Sequence, residues 1–290
     1  MLPRLAALAA VTLWGVSFVA TKAALAELSP LAVIVGRFAL GGAFLTAMLI
    51  ARGKPVVPPK GELWPLAVMA FVGVFVHQLL QTYGLTLTTA TRAGWLIGLI
   101  PVWTAIIAAL FLRERFGPMA LVGLALGFAG AALVTTGGQA DRRLLALPTT
   151  RGDLLVVAST LNWAIYTTIG NRTIRRIGST RASAAVIFLG LVMLLPFSFT
   201  EAVWREYRHL SAAGWGAVLF LGIGCSALGY LLWYAALERL SAARVAAFSY
   251  LEPLVTMVAA AALLGETAKA TTVAGGVIVL VGVYLTQRRK

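Results

Sequence analysis

Amide, imidazole and aromatic side chains interrupt the long apolar runs of this 290-residue chain. His77 and Gln81 are four residues apart and would share one face of a helix, and Gln78 lies three residues from Gln81. Such groups are costly inside a hydrocarbon layer unless they face a cavity or one another. Amides and imidazoles hydrogen-bond polar solutes, and aromatic rings stack on flat or cationic ones. These residue types therefore favour the binding of a small organic molecule.

Most of the candidate binding residues fall near the middle of their apolar runs, given a rise of about 1.5 Å per helical residue. The full set of candidate binding residues is Trp14, Ser17, His77, Gln78, Gln81, Trp95, Asn162, Trp163, Tyr166, Tyr230, Trp233 and Tyr250. We expect them to line a central substrate-binding cavity. Two alternatives stay open. His77 could be a neutral imidazole that is hydrogen-bonded inside the helix bundle, and any single aromatic residue could fill the membrane core or its interface.

Glu252 is an acidic residue near the middle of an apolar run, immediately before Pro253. Burial favours the neutral form of such a carboxyl group, whereas a nearby cation favours the carboxylate. A carboxylate that is exposed alternately to the two sides of a membrane could carry one proton per cycle. Glu252 is therefore a coupling candidate. The alternative is a permanently hydrogen-bonded or paired group that braces the backbone at Pro253.

Pro101 and Pro253 are candidate hinges, because both lie in the middle of apolar runs. Proline lacks an amide hydrogen and clashes with the carbonyl four residues earlier, so we expect each helix to kink there. The freed carbonyls would be those of Ile97 and Ser249. Matched interruptions in two halves of a chain indicate a carrier's binding site, although a packing kink without substrate contact remains an alternative.

The composition excludes several classes of protein. With 60% hydrophobic and 12% charged residues, the chain has too little polar surface for a soluble globule of this length. The net charge of +14 does not indicate nucleic-acid binding, because the cations lie in short clusters between apolar runs. A single cysteine, Cys225, and two widely separated histidines predict no disulfide, no metal site and no catalytic residues. We expect no cofactor, since no glycine-rich phosphate-binding signature is present.

Apolar stretches account for most of the chain, and a hydrocarbon core needs about 20 helical residues per crossing. The stretches are residues 4–26, 30–51, 64–87, 90–112, 117–138, 152–172, 181–203, 211–236, 241–264 and 268–287. Backbone polar groups in lipid must be satisfied within their own segment, which requires helices here. The sequence therefore predicts an all-α integral membrane protein with ten transmembrane helices. The candidate cavity would lie between the first, third, fourth, sixth, eighth and ninth of them.

A pattern of residues recurs 152 positions further along the chain: Arg92 with Arg244, Pro101 with Pro253, and Glu114 with Glu266. Each copy belongs to a group of five spans, and an odd number of spans reverses the second copy in the bilayer. We predict a first five-helix repeat over residues 1–138, a linker over 139–151 and a second, inverted repeat over 152–290. Inverted repeats are typical of carriers whose site lies between the halves near the midplane.

The distribution of cations predicts the orientation of the chain. Loops on the side of the termini carry 15 Lys and Arg residues, and the opposite loops carry 7. By the positive-inside rule both termini are cytoplasmic, and the chain is a multi-pass protein of the inner (plasma) membrane. Lys22 and Arg37 lie in the outer half of their spans, so we expect them to snorkel to the headgroups or to pair with Glu27. We expect Glu114 to pair with Arg113 or Arg115.

Short motifs, taken in order, resemble those of EamA-type members of the drug/metabolite transporter superfamily. They are Trp14-Gly15-Val16-Ser17-Phe18 with Lys22, Arg37-Phe38, Pro101 with Leu112-Arg113-Glu114-Arg115, and Leu251-Glu252-Pro253 with Leu264-Gly265-Glu266. The resemblance covers essentially the whole chain. It implies ten helices with cytoplasmic termini, two inverted halves, and movement of small metabolites, often amino acids or drugs, usually outward. Ile100 occupies the position that matches Glu252, so any role of that carboxylate is asymmetric.

We therefore predict a secondary transporter that exports small organic solutes, such as amino acids or related metabolites, by alternating access. Its partners would be the lipid bilayer and a small-molecule substrate, without nucleic acid. Gly123 and Gly127 favour helix packing within a monomer, and the oligomeric state is left open. A passive channel or facilitator, or a structural membrane subunit, is the alternative. An integral-membrane enzyme is disfavoured, because it would need metal ligands or an acid/base set near the headgroups.

Overall fold

A computed structural model describes residues 2–88, 93, 96–136, 151–200, 203–264 and 270–287. In the first half, α1 spans Leu2–Leu25, α2 Pro30–Ala51, α3 Lys60–Leu87, α4 Ile100–Phe111 and α5 Pro118–Thr136. In the second half, α6 spans Arg151–Ile169, α7 Ser179–Thr200, α8 Ala212–Leu237, α9 residues 242–264 and α10 Ala270–Gln287. A short helix, Asn171–Ile177, follows α6, and a 3₁₀ segment, Val203–His209, follows α7.

Five of the described helices are long and apolar enough to cross a membrane: α1, α2, α3, α7 and α8. α4 and the apolar parts of α5 and α10 are shorter. The prediction of an all-α protein with helices suited to a bilayer is confirmed for the described residues. The count of ten spans, the inverted repeats and the side of the termini stay predictions.

Two acidic residues hold the α1–α2 loop against the segment before α8. The Glu206 carboxylate accepts hydrogen bonds from the amide and hydroxyl of Ser29, at 2.5 and 2.8 Å, and Ser29 in turn caps α2. The Glu27 carboxylate accepts from the amide and hydroxyl of Ser211, at 2.8 and 2.7 Å, and Ser211 caps α8. The expected pairing of Glu27 with Arg37 is therefore wrong, because Ser211 satisfies Glu27. These hydrogen bonds lower the pKa of Glu27.

α3 and α8 each contain a π-helical segment, Phe71–Val76 and Phe220–Gly229. A shift of 152 residues places 71–76 on 223–228, so the two segments occupy matching positions. π-Helical turns interrupt the regular hydrogen-bond ladder of an α-helix and occur frequently at functional sites. Here they directly precede His77 and Gln78 in α3 and Tyr230 in α8.

Both candidate hinge prolines lie in the first turn of a new helical segment. α4 begins at Ile100, one residue before Pro101 and directly after a turn at residues 98–99. The α-helical part of α9 begins at Glu252, after the 3₁₀ segment Ala247–Leu251. A missing amide hydrogen costs nothing in the first turn of a helix. The Ser249 carbonyl is not freed as expected, because the Glu252 amide donates to it in the 3₁₀ turn.

The packing of the helices joins the two halves. α1 packs against α8 and α9, whereas α6 packs against α3 and α4. α5 and α10 pack on each other through glycines: a Cβ at Gly123 would lie 2.7 Å from the carbonyl oxygen of Gly282, and one at Gly130 would lie 2.8 Å from that of Gly275. Glycine is required there, because any side chain would separate the backbones. The small residues thus pack within one chain.

Candidate functional site

A cavity of about 40 Å³ lies between α1, α2, α3, α4, α6, α8 and α9. Its lining residues are Trp14, Ser17, Phe18, Arg37, His77, Gln78, Gln81, Ile100, Trp163, Tyr230 and Glu252. They come from both halves of the chain. A volume of this size holds ordered water but not a metabolite, since ligand pockets measure about 300–1,000 Å³.

Most of the predicted binding residues meet at this cavity. The lining includes Trp14, Ser17, His77, Gln78, Gln81, Trp163 and Tyr230, together with the coupling candidate Glu252. Tyr166 and Trp233 lie behind them, packed on the aromatic rings that line the cavity. Two predicted residues lie apart: Asn162 donates to the Val72 carbonyl at 2.6 Å, and Tyr250 donates to the Leu124 carbonyl of α5 at 2.9 Å. Trp95 lies outside the described residues.

Aromatic rings from both halves form one wall of the cavity. The Trp14 and Trp163 rings meet edge to face, with centroids 5.2 Å apart and an interplanar angle of 90°. Tyr230 lies 5.8 Å from Trp14 and 5.7 Å from Trp163 by ring centroids, again edge to face. This geometry is the favoured one for aromatic pairs. The wall therefore offers both ring faces and ring edges to an apolar or cationic group.

The two π-helical segments accept hydrogen bonds from this wall at matching positions. The Trp14 indole Nε1 donates to the Cys225 carbonyl of α8 at 3.0 Å. The Tyr230 hydroxyl donates to the Gly73 carbonyl of α3 at 3.1 Å. Gly73 and Cys225 are 152 residues apart, which is the offset of the sequence repeat. Each half therefore supplies a ring donor to the π-helical segment of the other half.

His77 is hydrogen-bonded inside the helix bundle and also lines the cavity. Its Nδ1 lies 3.1 Å from the Ser159 carbonyl oxygen of α6. A carbonyl only accepts, so Nδ1 carries the hydrogen and Nε2 of the neutral ring is an acceptor. The ring also packs on Trp163, with centroids 4.7 Å apart, and lines the cavity. His77 is thus a hydrogen-bonded bundle residue and a cavity residue at once.

Arg37 also lines the cavity, although its position in the outer half of a span predicted a place at the membrane surface. The expectation that it snorkels is wrong: its side chain is 5% exposed and lines the cavity. Its Nε donates to the Ser226 hydroxyl of α8 at 2.9 Å, and its Nη1 donates to the Gln78 side-chain oxygen of α3 at 3.2 Å. The guanidinium also lies 5.4 Å from the Phe38 ring centroid. The signal that could have identified it is an ionisable residue inside a span, which is by default a functional candidate.

Glu252 lines the same cavity from α9 and is 6% exposed. No cation among the described residues lies within ion-pair distance of its carboxyl group. The backbone carbonyls of Glu252 and Gly15 both accept from the Thr256 hydroxyl, at 2.9 and 2.7 Å. α9 is thereby fixed to α1 at the edge of the cavity.

Two larger cavities lie at the ends of α4, α5, α6 and α9, on the side that is predicted to be cytoplasmic. Their volumes are about 610 and 860 Å³, and both are lined by Glu114 and Ser241. Burial raises the pKa of Glu114, against the opposing effects of a Ser241 hydrogen bond and of the charges of Arg244 and Arg175. The sequence predicted a pairing of Glu114 with Arg113 or Arg115. In the structure, the charges that act on Glu114 are instead those of Arg244 and Arg175.

Comparison with known proteins places the chain among transporters. It matches the profile described as "EamA-like transporter family" over residues 1–136 and again over residues 150–288. An "Uncharacterized transporter" of Archaeoglobus fulgidus is 31% identical over 279 residues, which are 96% of this chain and 94% of that protein.

Two further relatives carry more specific names. A "Probable terminal-alkyne amino-acid exporter" of Streptantibioticus cattleyicolor is 29% identical over 84% of this chain and 80% of that protein. A "Probable amino-acid metabolite efflux pump" of Salmonella typhimurium is 27% identical over 96% of this chain and 92% of that protein. A solved crystal structure has the same fold, with a TM-score of 0.82 over 98% of this chain and 96% of that chain, at 21% identity.

Proposed function

Because the chain belongs to the EamA-like transporter family and is a multi-pass membrane transporter, we propose that it exports small organic solutes, such as amino acids or related metabolites, by alternating access. The relatives that carry specific names are an amino-acid exporter and an amino-acid metabolite efflux pump. The observation that carries the proposal is the central cavity, which is lined by polar and aromatic residues of both halves. The membrane would be the inner (plasma) membrane, with both termini cytoplasmic.

The proposed architecture is two inverted five-helix repeats, residues 1–138 and 152–290, joined by a linker at 139–151. Reciprocal contacts support a two-fold axis in the membrane plane. Gly123 meets Gly282, and Gly130 meets Gly275. The repeat offset of 152 residues converts Gly123 to Gly275 and Gly130 to Gly282, so each contact is the repeat-related copy of the other. Matching positions also line the cavity together: Gln78 with Tyr230, and Ile100 with Glu252.

The cavity has to open before it can hold a substrate, because its volume is about 40 Å³. We propose that one half rocks against the other about the helix starts at Pro101 and Pro253, and that the cross-half hydrogen bonds to Gly73 and Cys225 break and form as it does so. The large cavities beside Glu114 would be the cytoplasmic entrance. Glu252 is the coupling candidate in this cycle, and a brace at Pro253 is the alternative role of its carboxyl group.

Counterflow in proteoliposomes tests the proposed function. Vesicles that contain the purified protein and an unlabelled solute take up the labelled solute against its gradient when the protein is a carrier. The solute panel comprises amino acids, sugars, nucleosides and drugs, and we expect saturable counterflow with amino acids or related metabolites. Flux that never saturates and shows no counterflow would indicate the second candidate, a passive channel, and would contradict the proposal.

Cysteine accessibility tests the proposed architecture. Single cysteines at positions 56 and 146 lie in the loop before α3 and in the linker, which the inverted arrangement places on opposite sides of the membrane. A membrane-impermeant thiol reagent should label position 146 in intact cells and position 56 only after the cells are opened. Labelling of both positions from the same side would rule out the inverted arrangement.

A further inference from the structure

Two buried ionisable side chains line the central cavity from different halves of the chain. Arg37 comes from α2 and is 5% exposed, and Glu252 comes from α9 and is 6% exposed. Both lie in the described part of the chain, and no ion pair joins them there. A charge inside the membrane is costly unless it is paired, so a cation and an acidic side chain that line one cavity without an ion pair between them need an explanation.

The partners of Arg37 hold its side chain without neutralising its charge. Ser226 and Gln78 accept hydrogen bonds from Nε and Nη1, and both acceptors are neutral groups. Nη2 donates to none of the described residues. The guanidinium is therefore fixed in direction by α3 and α8, and one of its nitrogens stays available for a ligand. Arginine binds carboxylates with strong, directed hydrogen bonds.

The remaining lining favours a ligand with an apolar body. The rings of Trp14, Trp163 and Tyr230 meet at the cavity, with centroids 5.2–5.8 Å apart. Ring faces also attract ammonium groups. Gln81 and Nε2 of His77 add neutral hydrogen-bonding groups, so the lining carries one positive and one acidic side chain in all.

We propose that Arg37 and Glu252 select zwitterions, with Arg37 binding the substrate carboxylate, Glu252 binding its ammonium group, and the aromatic wall packing on an apolar side chain. This inference rests on the proposed function and specifies which amino-acid groups each residue recognises. A zwitterion supplies a carboxylate for the guanidinium and an ammonium group for the acidic side chain at once, whereas a simple amine or a simple acid leaves one of the two side chains without a partner. Because the two residues belong to different halves, the substrate is held fully only when the halves close around it.

Three related ligands test the assignment by equilibrium binding. They are phenylalanine, phenethylamine, which lacks its carboxylate, and 3-phenylpropanoate, which lacks its ammonium group. Binding to the full-length protein in lipid nanodiscs is followed by tryptophan fluorescence, because neutral forms of the two analogues cross bilayers unaided. The protein should bind phenylalanine at least about tenfold more tightly than either analogue, because each analogue leaves one of the two side chains without its ligand group.

Two substitutions should each remove one of the two preferences, that for phenylalanine over phenethylamine and that for phenylalanine over 3-phenylpropanoate. Arg37→Gln should reduce the preference for phenylalanine over phenethylamine to about one and leave a preference over 3-phenylpropanoate. Glu252→Gln should do the reverse. Lys22→Gln, at the exposed end of α1, is the matched charge control and should keep both wild-type ratios. If Arg37→Gln does not fold, Arg37→Lys is the second variant. It keeps the positive charge but lacks the planar guanidinium with its several N–H donors, and it should partly reduce the preference for phenylalanine over phenethylamine.

Equal binding of the three ligands to the wild-type protein overturns the assignment without any variant. A uniform change of both ratios in both variants also overturns it, because it would mean that the residues only hold the helices together. Both results leave counterflow intact and so differ from a failure of the proposed function, in which no solute of the wider panel exchanges.

Discussion

The Trp14 indole donates a 3.0 Å hydrogen bond to the Cys225 carbonyl and so joins α1 to the π-helical segment of α8. The bond between Tyr230 and the Gly73 carbonyl, at 3.1 Å, is its counterpart in the other half of the chain. Both acceptors lie in π-helical segments at positions 152 residues apart. The wall of the cavity and the contact between the halves are therefore built from the same residues.

Trp14→Phe keeps an aromatic ring but removes the indole N–H, so the hydrogen bond to the buried Cys225 carbonyl is lost. We expect a loss of about 0.5–1.5 kcal/mol of stability, seen as a lower unfolding temperature. Trp64→Phe is the matched control, because Trp64 is 76% exposed and makes no cross-half hydrogen bond to the described residues. Equal unfolding temperatures for Trp14→Phe and the wild type would show that the bond contributes nothing to the contact between the halves.

Gly123→Ala tests the packing of α5 on α10. Its Cβ would lie 2.7 Å from the Gly282 carbonyl oxygen, so the helices must separate, and we expect a cost of about 1–3 kcal/mol in thermal stability. Gly216→Ala is the control: no atom lies within 4 Å of its Cβ, and alanine in this exposed helical position should stabilise by about 0.5–1 kcal/mol. Changes of the same sign in the two variants would contradict the close contact.

Glu27 links stability to pH through its hydrogen bonds from Ser211. The pKa of Glu27 is lowered because the Ser211 hydroxyl and amide donate to the carboxylate. The contact therefore stabilises the fold above the ordinary pKa of a glutamate, and this stability is lost as the pH falls through the lowered value. Glu27→Gln should reduce the difference in unfolding temperature between pH about 7 and pH about 3. An unchanged difference would show that Ser211 does not distinguish the two protonation states.

The sequence predicted the helices and much of the cavity for a simple physical reason. The length of an apolar stretch indicates a membrane-spanning helix. Polar side chains in the middle of such a helix are costly in lipid, so they tend to face a shared cavity. Arg37 was missed because snorkelling explains a cation equally well until its neighbours are known. Tyr250 was predicted to line the cavity because it is aromatic, and residue type does not give the side of the helix on which a side chain lies. In the structure its hydroxyl donates to the Leu124 carbonyl of α5.

The two interruptions of α4 and α9 show the same limit. Pro101 and Pro253 marked the correct places, but proline chemistry alone predicted a kink with freed carbonyls. In the structure a new helical segment begins at each proline, and the 3₁₀ turn before Glu252 uses the Ser249 carbonyl. The local hydrogen bonds of a turn depend on backbone geometry that residue type does not determine.

Glu252→Gln tests proton coupling. The substitution keeps the shape of the side chain and most of its hydrogen bonding but removes its titration. If Glu252 carries the proton, the ratio of substrate accumulation with a pH gradient to accumulation without one should fall to one in proteoliposomes. A ratio at the wild-type level in a correctly folded variant would exclude Glu252 as the coupling site and leave its role as a brace beside Pro253.

Alternating access to the central cavity is tested most directly by a cysteine at Gln81, which lines the cavity. The background is Cys225→Ala, which removes the buried free thiol. A membrane-impermeant thiol reagent is added to one side of the membrane or to the other, in vesicles of known orientation. We predict that the Gln81→Cys thiol reacts from each side and that substrate slows the reaction from both. Reaction from one side only, with or without substrate, would contradict a cavity that opens alternately to the two faces.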